Sequence, residues 1–232
     1  MDKIIIIPAY NEEKNLGSVL AAIRRDAPEY GVLVVNDGSS DQTSAVARSF
    51  DRVRVIDLPD NIGIGGAVQT GFLYSLTVGA ELAVQVDGDG QHKPSEIPKI
   101  AGPVLAGEAD VVIGSRFLEG SGFRGSFPRR LGIRFFQMIN AVILGERFTD
   151  STSGFRAYNR RAIEILSQTY PDDYPEPEAI YILKKKGLRI HEAAVDMESR
   201  WAGKSSISIW HSLYYMVKVC LAIFVLLLRR ER

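Results

Sequence analysis

The chain has 232 residues, a formal net charge of zero and a hydrophobic fraction of 46%. This length suits one large α/β domain, and the balanced charge and apolar content exclude a disordered tail and a polycationic nucleic-acid binder. The single cysteine, Cys220, excludes an internal disulfide and indicates a reducing compartment. The apolar run at residues 4–7 is too short for a signal-peptide core, so we expect the catalytic part to stay in the cytosol.

The predicted elements alternate between strand and helix through the first half of the chain. Residues 4–7 form a β-branched run that ends at Pro8, as expected of a strand buried on both faces of a parallel sheet. Residues 11–13 are expected to open a helix, because apolar residues then recur at helical spacing. Further strands are predicted at residues 32–35, 53–56, 82–86 and 111–113. This alternation predicts an α/β fold with a doubly wound, mainly parallel sheet.

Polar residues stand near the ends of three of these strands. Tyr10 follows the first strand, Asp37 follows the second, and Asp87 and Asp89 follow the fourth. Because open α/β sheets bind ligands at the carboxyl ends of their strands, these residues predict one shared site. A serine within residues 39–40 is expected to cap the helix that comes after the second strand.

The glycine-rich stretch at residues 63–68 does not match the common nucleotide-binding fingerprints. Val68 stands where a dinucleotide motif needs its third glycine, and the sequence contains no Gly-Lys-Ser/Thr phosphate loop. The stretch therefore predicts the start of a helix rather than a cofactor loop.

Residues 86–92 combine two carboxylates with a glycine-rich turn. Asp87 and Asp89 are spaced so that both can reach one oxygen-seeking cation, and without a cation their charges would repel each other. The pattern indicates a clamp for a divalent metal ion. An ordinary Asp/Gly turn is the alternative that these residues alone leave open. An EF-hand loop fits poorly, because His92 stands where that pattern needs glycine.

Motifs in a fixed order extend along most of the chain and carry a family resemblance. The segments 8–12, 35–41, 61–63 and 87–92 resemble the signature of family 2 glycosyltransferases, which have the GT-A fold. The segments 114–116, 150–156 and 200–205, together with Glu178, resemble the branch that makes polyprenyl- or dolichyl-phosphate sugars. The resemblance covers about residues 4–205. It implies a catalytic domain over residues 1–205, and the apolar sequence that follows predicts a membrane-anchoring helix over residues 206–232.

On the donor side, the resemblance implies a site for a nucleotide sugar. The residues implied in donor binding are Pro8, Ala9, Tyr10, Glu12, Asp37, Gly65 and Asp87. Acidic groups can accept hydrogen bonds from a uracil or guanine edge or from ribose hydroxyls. The resemblance also implies that Asp87, Asp89 and Gln91 hold Mg²⁺ or Mn²⁺. The metal would bridge the diphosphate and neutralise charge on the leaving nucleotide.

On the acceptor side, a lipid phosphate calls for cations, and arginine suits phosphate geometry better than lysine. The residues implied in binding the acceptor phosphate are Arg116, Arg129, Arg200 and Lys204. Arg130 and Arg134 are further candidates. A solvated surface charge is the alternative for Arg129 and Arg130.

Asp89, Arg116 and Asp150 are the residues that the resemblance places at the transfer step. Asp150 can equally be a cap or turn carboxylate before Ser151. A phosphate nucleophile does not require a strong general base, so position and charge should dominate. His92 is either a neighbour of the metal or a polar residue that fills space.

Two segments predict contact with a membrane. Residues 127–148 combine a basic start with an apolar face, which fits either a lipid interface or a helix packed in the core. Residues 219–228 have no polar side chain apart from Cys220, but they span only about 15 Å as a helix, against about 30 Å of hydrocarbon. A longer span from residue 207 would place Lys218 near the middle of the membrane. We therefore expect an amphipathic or shallow anchor. A full span, a membrane-protein partner and self-association stay open.

These observations predict a metal-dependent, inverting glycosyltransferase at the cytosolic face of a membrane. It would move one sugar from a UDP- or GDP-sugar to undecaprenyl or dolichyl phosphate, and inversion is implied by the family alone. One alternative is a family 2 enzyme with a saccharide or another lipid as acceptor. The other is a non-catalytic subunit that binds a nucleotide sugar and recruits a membrane partner through residues 207–228.

Overall fold

The computed structural model describes residues 2–118, 137–138, 141–171 and 175–198. The acceptor candidates Arg129, Arg130, Arg134, Arg200 and Lys204 lie outside these residues, as does the predicted anchor over residues 206–232. The predictions about them stay predictions. Of the predicted helix at 127–148, residues 137–138 and 141–148 are described: residues 137–138 and 141–144 are helical, whereas residues 145–148 are not. Within the described ranges, no helix is long and apolar enough to cross a membrane.

The described part of the chain contains one seven-stranded sheet with the strand order β3-β2-β1-β4-β6-β5-β7. Its strands are Lys3–Ala9 (β1), Gly31–Asn36 (β2), Val53–Asp57 (β3), Leu82–Gln85 (β4), Val111–Ser115 (β5), Arg156–Asn159 (β6) and Ile190–Ala194 (β7). Strand β6 is antiparallel to both of its neighbours, and all other pairs are parallel. The five predicted strands are confirmed, with β4 ending one residue before the predicted end.

Helices cover both faces of the sheet. Those described are Leu16–Asp26 (α1), Thr43–Arg48 (α2), Gly63–Thr77 (α3), Ile97–Leu105 (α4), Arg160–Thr169 (α5) and Pro175–Lys185 (α6). Alternate residues of the central strands point to opposite faces. Ile5 and Ile7 pack into a core with α1, α2 and α4, and Ile4 and Ile6 pack into a core with α3, α5 and α6. This arrangement confirms the doubly wound α/β fold and explains why the run at residues 4–7 is apolar throughout.

Helix α1 starts at Leu16, not at residues 11–13, because the segment before it bonds to another loop. Asn11 has a φ of 55°, which is outside the helical region. The backbone amides of Asn11 and Glu12 donate to the side chains of Ser39 and Thr43 rather than entering a helix. The first turn therefore begins only where the Leu16 amide donates to the Glu12 carbonyl, at 2.9 Å.

The predicted serine cap of α2 is also wrong. Neither Ser39 nor Ser40 caps this helix, and its first residue, Thr43, donates its amide to Asp41 Oδ1 at 2.9 Å. A carboxylate is the stronger acceptor next to helix amides, so Asp41 takes the position that we expected a serine to fill. The predicted helix start at residues 63–66 is confirmed, because α3 begins at Gly63.

Candidate active site

The sheet topology brings most of the described candidate residues to one edge. Strands β1, β2, β4 and β5 point the same way, so Tyr10, Asp37, Asp87 and Arg116 all follow strand ends at that edge. The antiparallel strand β6 enters the sheet from the same edge. The residues just before β6, including Asp150, therefore lie there too.

Asp37 fixes the start of α3. Its carboxylate is buried, and Oδ1 accepts the Ile62 amide at 2.8 Å while Oδ2 accepts the Gly63 amide at 3.0 Å. Gly38 next to it has a φ of 64°, and a Cβ there would come within 2.6 Å of the backbone at Asp60 and Asn61. This glycine therefore lets the two loops touch. A donor nucleotide that contacts Asp37 would share oxygens already bonded to backbone amides.

The loops after β1 and β2 are tied together by side-chain bonds. The Glu12 amide donates to Thr43 Oγ1 at 2.8 Å, and the Ser40 amide donates to Asn11 Oδ1 at 2.9 Å. The Glu12 carboxylate accepts Asn15 Nδ2 at 2.7 Å. Tyr10 is half exposed beside them. These bonds hold the predicted donor residues of the first motif in a fixed conformation before any ligand binds.

The turn after β4 holds its two aspartates in different environments. Asp89 is buried, and its Oδ1 accepts the Gln91 amide at 3.0 Å. The Asp87 side chain is 35% exposed. His92 Nδ1 accepts the Asp87 amide at 3.0 Å, and its ring stacks on Phe155 at 4.9 Å between centroids. His92 therefore shapes the turn, a role that the sequence pattern left open.

The residues of this turn fit a divalent cation. Gly154 lies against the Asp87 carboxylate, and a Cβ at Gly154 would be 3.3 and 3.4 Å from its two oxygens. Any larger residue would therefore press on the predicted ligand. Asp87, Asp89 and Gln91 offer carboxylate and carboxamide oxygens, the type that Mg²⁺ and Mn²⁺ take. In the described ranges no group of three or more His, Cys, Asp or Glu residues could hold a metal. Asp87, Asp89 and Gln91 supply fewer oxygens than the six that Mg²⁺ takes, so a bound ion would complete its coordination with other oxygens.

Arg116 and Asp150 form a bidentate ion pair. The guanidinium Nε donates to Oδ2 at 2.6 Å and Nη2 donates to Oδ1 at 2.8 Å, while the Arg116 amide reaches Oδ2 at 3.1 Å. The Asp150 carbonyl also accepts the Ser153 amide at 3.2 Å, as in a turn. The sequence analysis gave each of these residues a role at the transfer step, but it did not predict that they form a pair.

Arg156 and Glu176 are two charged residues to which sequence reasoning gave no role. Arg156 is fully buried and donates to the carbonyls of Ser153 and Ser151 at 2.7 and 2.8 Å, which fixes the chain before β6. Burial raises the pKa of Glu176 to about 7, with Arg156 acting in the opposite direction and Asp87 adding to the rise. Arg156 was visible within the motif at residues 150–156, whereas Glu176 carried no signal.

Glu192 on β7 is a further residue that no motif indicated. Its carboxylate accepts bonds from the Thr149 and Asp150 amides. Burial raises the pKa of this carboxyl group, and those two amides oppose the rise. The predicted transfer residue Asp150 is thus held from the backbone side as well as through Arg116.

Comparison with known proteins gives relatives along nearly the whole chain. Polyprenol monophosphomannose synthase of Mycolicibacterium smegmatis is 36% identical over 214 residues, which cover 88% of this chain and 80% of that protein. UDP-N-acetylglucosamine--dolichyl-phosphate N-acetylglucosaminyltransferase of Methanococcus voltae is 30% identical, with 92% and 94% covered. Undecaprenyl-phosphate mannosyltransferase of Micrococcus luteus is 33% identical, with 90% and 88% covered.

The fold also has solved counterparts. Glucosyl-3-phosphoglycerate synthase from Mycobacterium tuberculosis, solved with Mn²⁺ and UDP-glucose, superposes with a TM-score of 0.73 at 20% identity, covering 95% of this chain and 78% of that one. This likeness confirms the GT-A fold that the motifs implied. Residues 4–166 match the family described as Glycosyl transferase family 2, and the chain therefore belongs to the family 2 glycosyltransferases.

Proposed function

We propose that this chain transfers one sugar from a nucleotide-sugar donor to polyprenyl phosphate. The observation that carries the proposal is the acceptor shared by its relatives. Three relatives that align with 88 to 92% of the chain are named for a polyprenol, undecaprenyl or dolichyl phosphate product or acceptor, while their sugars differ between mannose and N-acetylglucosamine. The acceptor class is thus what the names of these relatives have in common. The Arg116 guanidinium at the site is compatible with binding its phosphate.

The proposed reaction is an in-line displacement at the anomeric carbon of the donor. An oxygen of the lipid phosphate forms the new bond to that carbon, and the bond to the donor diphosphate breaks, so that a nucleoside diphosphate leaves. The phosphate has a second pKa of about 6, so it attacks without a strong base. The stereochemistry inverts in a single displacement.

The chain's own residues prepare both partners of this reaction. Asp87, Asp89 and Gln91 would hold Mg²⁺ or Mn²⁺, which supplies Lewis-acid stabilisation of the leaving diphosphate when bound. His92 fixes the backbone of Asp87. Arg116 provides a guanidinium at the same edge of the sheet, where it can orient an acceptor phosphate while Asp150 holds its planar group in place.

We further propose that the reaction takes place at the cytosolic face of a membrane. The support comes from the sequence of residues 206–232, whose apolar run ends in Arg229, Arg230 and Arg232. Each arginine near anionic lipid contributes about 1 kcal/mol of binding. Co-sedimentation of the full chain with phosphatidylglycerol vesicles tests this. We expect binding that weakens as salt rises, and full recovery in the supernatant at low salt would contradict it.

The transfer itself is tested with the purified full chain, undecaprenyl phosphate, a pool of nucleotide sugars and Mg²⁺ or Mn²⁺. We expect mass spectrometry of the organic extract to show a lipid ion heavier by one sugar, and EDTA to abolish it. If donor binds but no such ion forms, the acceptor assignment fails. Product from added saccharides would then favour the alternative acceptor, and no product with any acceptor would favour a non-catalytic subunit.

A further inference from the structure

Glu192 lies on β7, the strand at one end of the sheet, and binds the chain that leads to Asp150. Its Oε1 accepts the Thr149 amide at 2.9 Å, the Asp150 amide at 2.8 Å and Thr149 Oγ1 at 3.0 Å. Its Oε2 accepts the Thr149 amide at 2.7 Å. One carboxylate therefore binds two consecutive backbone amides and a hydroxyl group.

These bonds continue to the predicted transfer residues. Thr149 Oγ1 lies 2.5 Å from Ser115 Oγ, and Ser115 Oγ in turn accepts the Phe117 amide at 3.1 Å. Asp150, whose amide Glu192 holds, places its carboxylate on both the amide and the guanidinium of Arg116. Glu192 thus fixes residues on both sides of the ion pair.

We propose that Glu192 is a positioning residue for the transfer step: it sets the orientation of Asp150 and, through Asp150, the plane of the Arg116 guanidinium. The proposal rests on the proposed function. Glu192 acts without touching the substrate, because its carboxylate is already occupied by the Thr149 and Asp150 amides.

An ionised carboxylate of this length suits the position. Both oxygens accept, so they receive amide and hydroxyl donors with no donor of their own. A glutamine would turn an NH₂ group toward one of these donors, and an aspartate would fall short of them by one methylene. Either change should let the Asp150 segment shift, and a misplacement of about 1 Å near the chemistry can cost roughly 100-fold in rate.

The chain offers a matched control in Asp110. This carboxylate is buried and, like that of Glu192, holds a backbone amide of another segment: it accepts the Arg189 amide, just before β7, at 2.8 Å and Asn159 Nδ2 at 2.8 Å. It lies before β5, at the opposite edge of the sheet from Arg116. Asp110→Asn therefore also removes a carboxylate that ties a neighbouring segment to the β7 side of the sheet, and it leaves the transfer residues in place.

The test compares kcat and KM of the full-length wild type, Glu192→Gln and Asp110→Asn, well below the melting temperature of each. We expect Glu192→Gln to lower kcat about 100-fold with the donor KM within about twofold. Asp110→Asn should keep a near-wild-type kcat despite a similar drop in melting temperature. A kcat for Glu192→Gln within about threefold of the Asp110→Asn value would overturn the proposal.

A second readout does not depend on turnover. The Arg116 Nε–H group is bonded to Asp150, so its ¹⁵N resonance, assigned by its loss in Arg116→Lys, should exchange slowly with water. We expect this resonance to broaden or vanish in Glu192→Gln and to persist in Asp110→Asn. Persistence in both variants would contradict the positioning role. If the wild type transfers no sugar to polyprenyl phosphate, the proposed function fails while this spectrum still decides the role of Glu192.

Discussion

The two halves of the catalytic edge hold their carboxylates in different ways. On the donor side, Asp37 and Asp89 accept hydrogen bonds from neutral backbone amides. On the acceptor side, Asp150 is paired with the guanidinium of Arg116. Bonds from amides leave a carboxylate with its full negative charge, whereas the ion pair is neutral as a unit. The donor side can therefore attract a cation, and the acceptor side is arranged to keep its own cation in place.

The largest effect should come from the carboxylate that we assign to the metal. Asp89→Ala should lower sugar transfer by at least about 1000-fold while the protein stays folded, because the leaving diphosphate would lose its charge stabilisation. The lipid-product assay measures the loss and circular dichroism checks the fold. Asp51→Ala, in an exposed turn, is the control for removing one negative charge. Near-normal turnover by Asp89→Ala would exclude the metal assignment.

Breaking the ion pair should be costly in stability as well as in activity. Arg116→Ala leaves the buried Asp150 carboxylate without its cation, at a cost of about 3 kcal/mol. The double variant Arg116→Ala/Asp150→Asn should recover part of that loss, because no charge is then left buried. Urea unfolding of the single and double variants gives the coupling free energy. A coupling near zero would mean that the pair is too well solvated to act as a unit.

The carboxyl group of Glu176, in the first turn of α6, should make stability depend on pH. The pKa of Glu176 rises from 4.5 to about 7 in the folded state, so folding takes up a proton between these values. Stability is then highest below the unfolded pKa and falls as pH increases through the folded pKa, by about 1 to 2 kcal/mol after allowance for partial exposure. Glu176→Gln should flatten this part of the profile in urea unfolding at a series of pH values. An unchanged slope would contradict the assignment.

The smallest effect should come from the helix start on the donor side. Asp37→Asn keeps one acceptor oxygen for the Ile62 and Gly63 amides and should cost about 1 kcal/mol. The donor KM should increase more than kcat falls, because we assign Asp37 to donor binding and not to the transfer step. Urea unfolding measures the loss of stability, and isothermal titration with the nucleoside diphosphate measures the loss of donor affinity. A stability loss as large as that of Arg116→Ala would remove the distinction between the two sides.

The sequence was most informative where a contact lies within one short segment. Asp87, Asp89 and Gln91 belong to one turn after a strand, so their proximity followed from spacing, and parallel strands explained why Asp37 lies at the same edge. It was least informative where two distant segments meet. Asp150 bonds Arg116, 34 residues away, and Glu192, 42 residues away. Those contacts depend on β6 running antiparallel between β4 and β5, which no local pattern indicated.

The errors in the helix starts have a related cause. Helical spacing of apolar residues gives the buried face of α1 correctly, yet it does not tell where the backbone enters the helix. Asn11 and Glu12 use their amides in bonds to Ser39 and Thr43 of another loop, and such side-chain acceptors compete with the first helical turn. At the start of α2, the Thr43 amide bonds to the carboxylate of Asp41, which follows the expected serine by one residue. Here too a side-chain acceptor outside the predicted position decides how the helix begins.

The antiparallel strand β6 has a consequence for how this enzyme could be modified. Because β5 ends and β6 begins at the same edge, the chain from Arg116 to Phe155 leaves the sheet and returns to it on one side. Neither strand has to change register if this connecting segment is lengthened, shortened or replaced. The segment between Phe117 and Phe148 can therefore vary on a constant sheet, and chimeras between relatives should keep Thr149 and Asp150, which Glu192 holds, and Phe155, which stacks on His92.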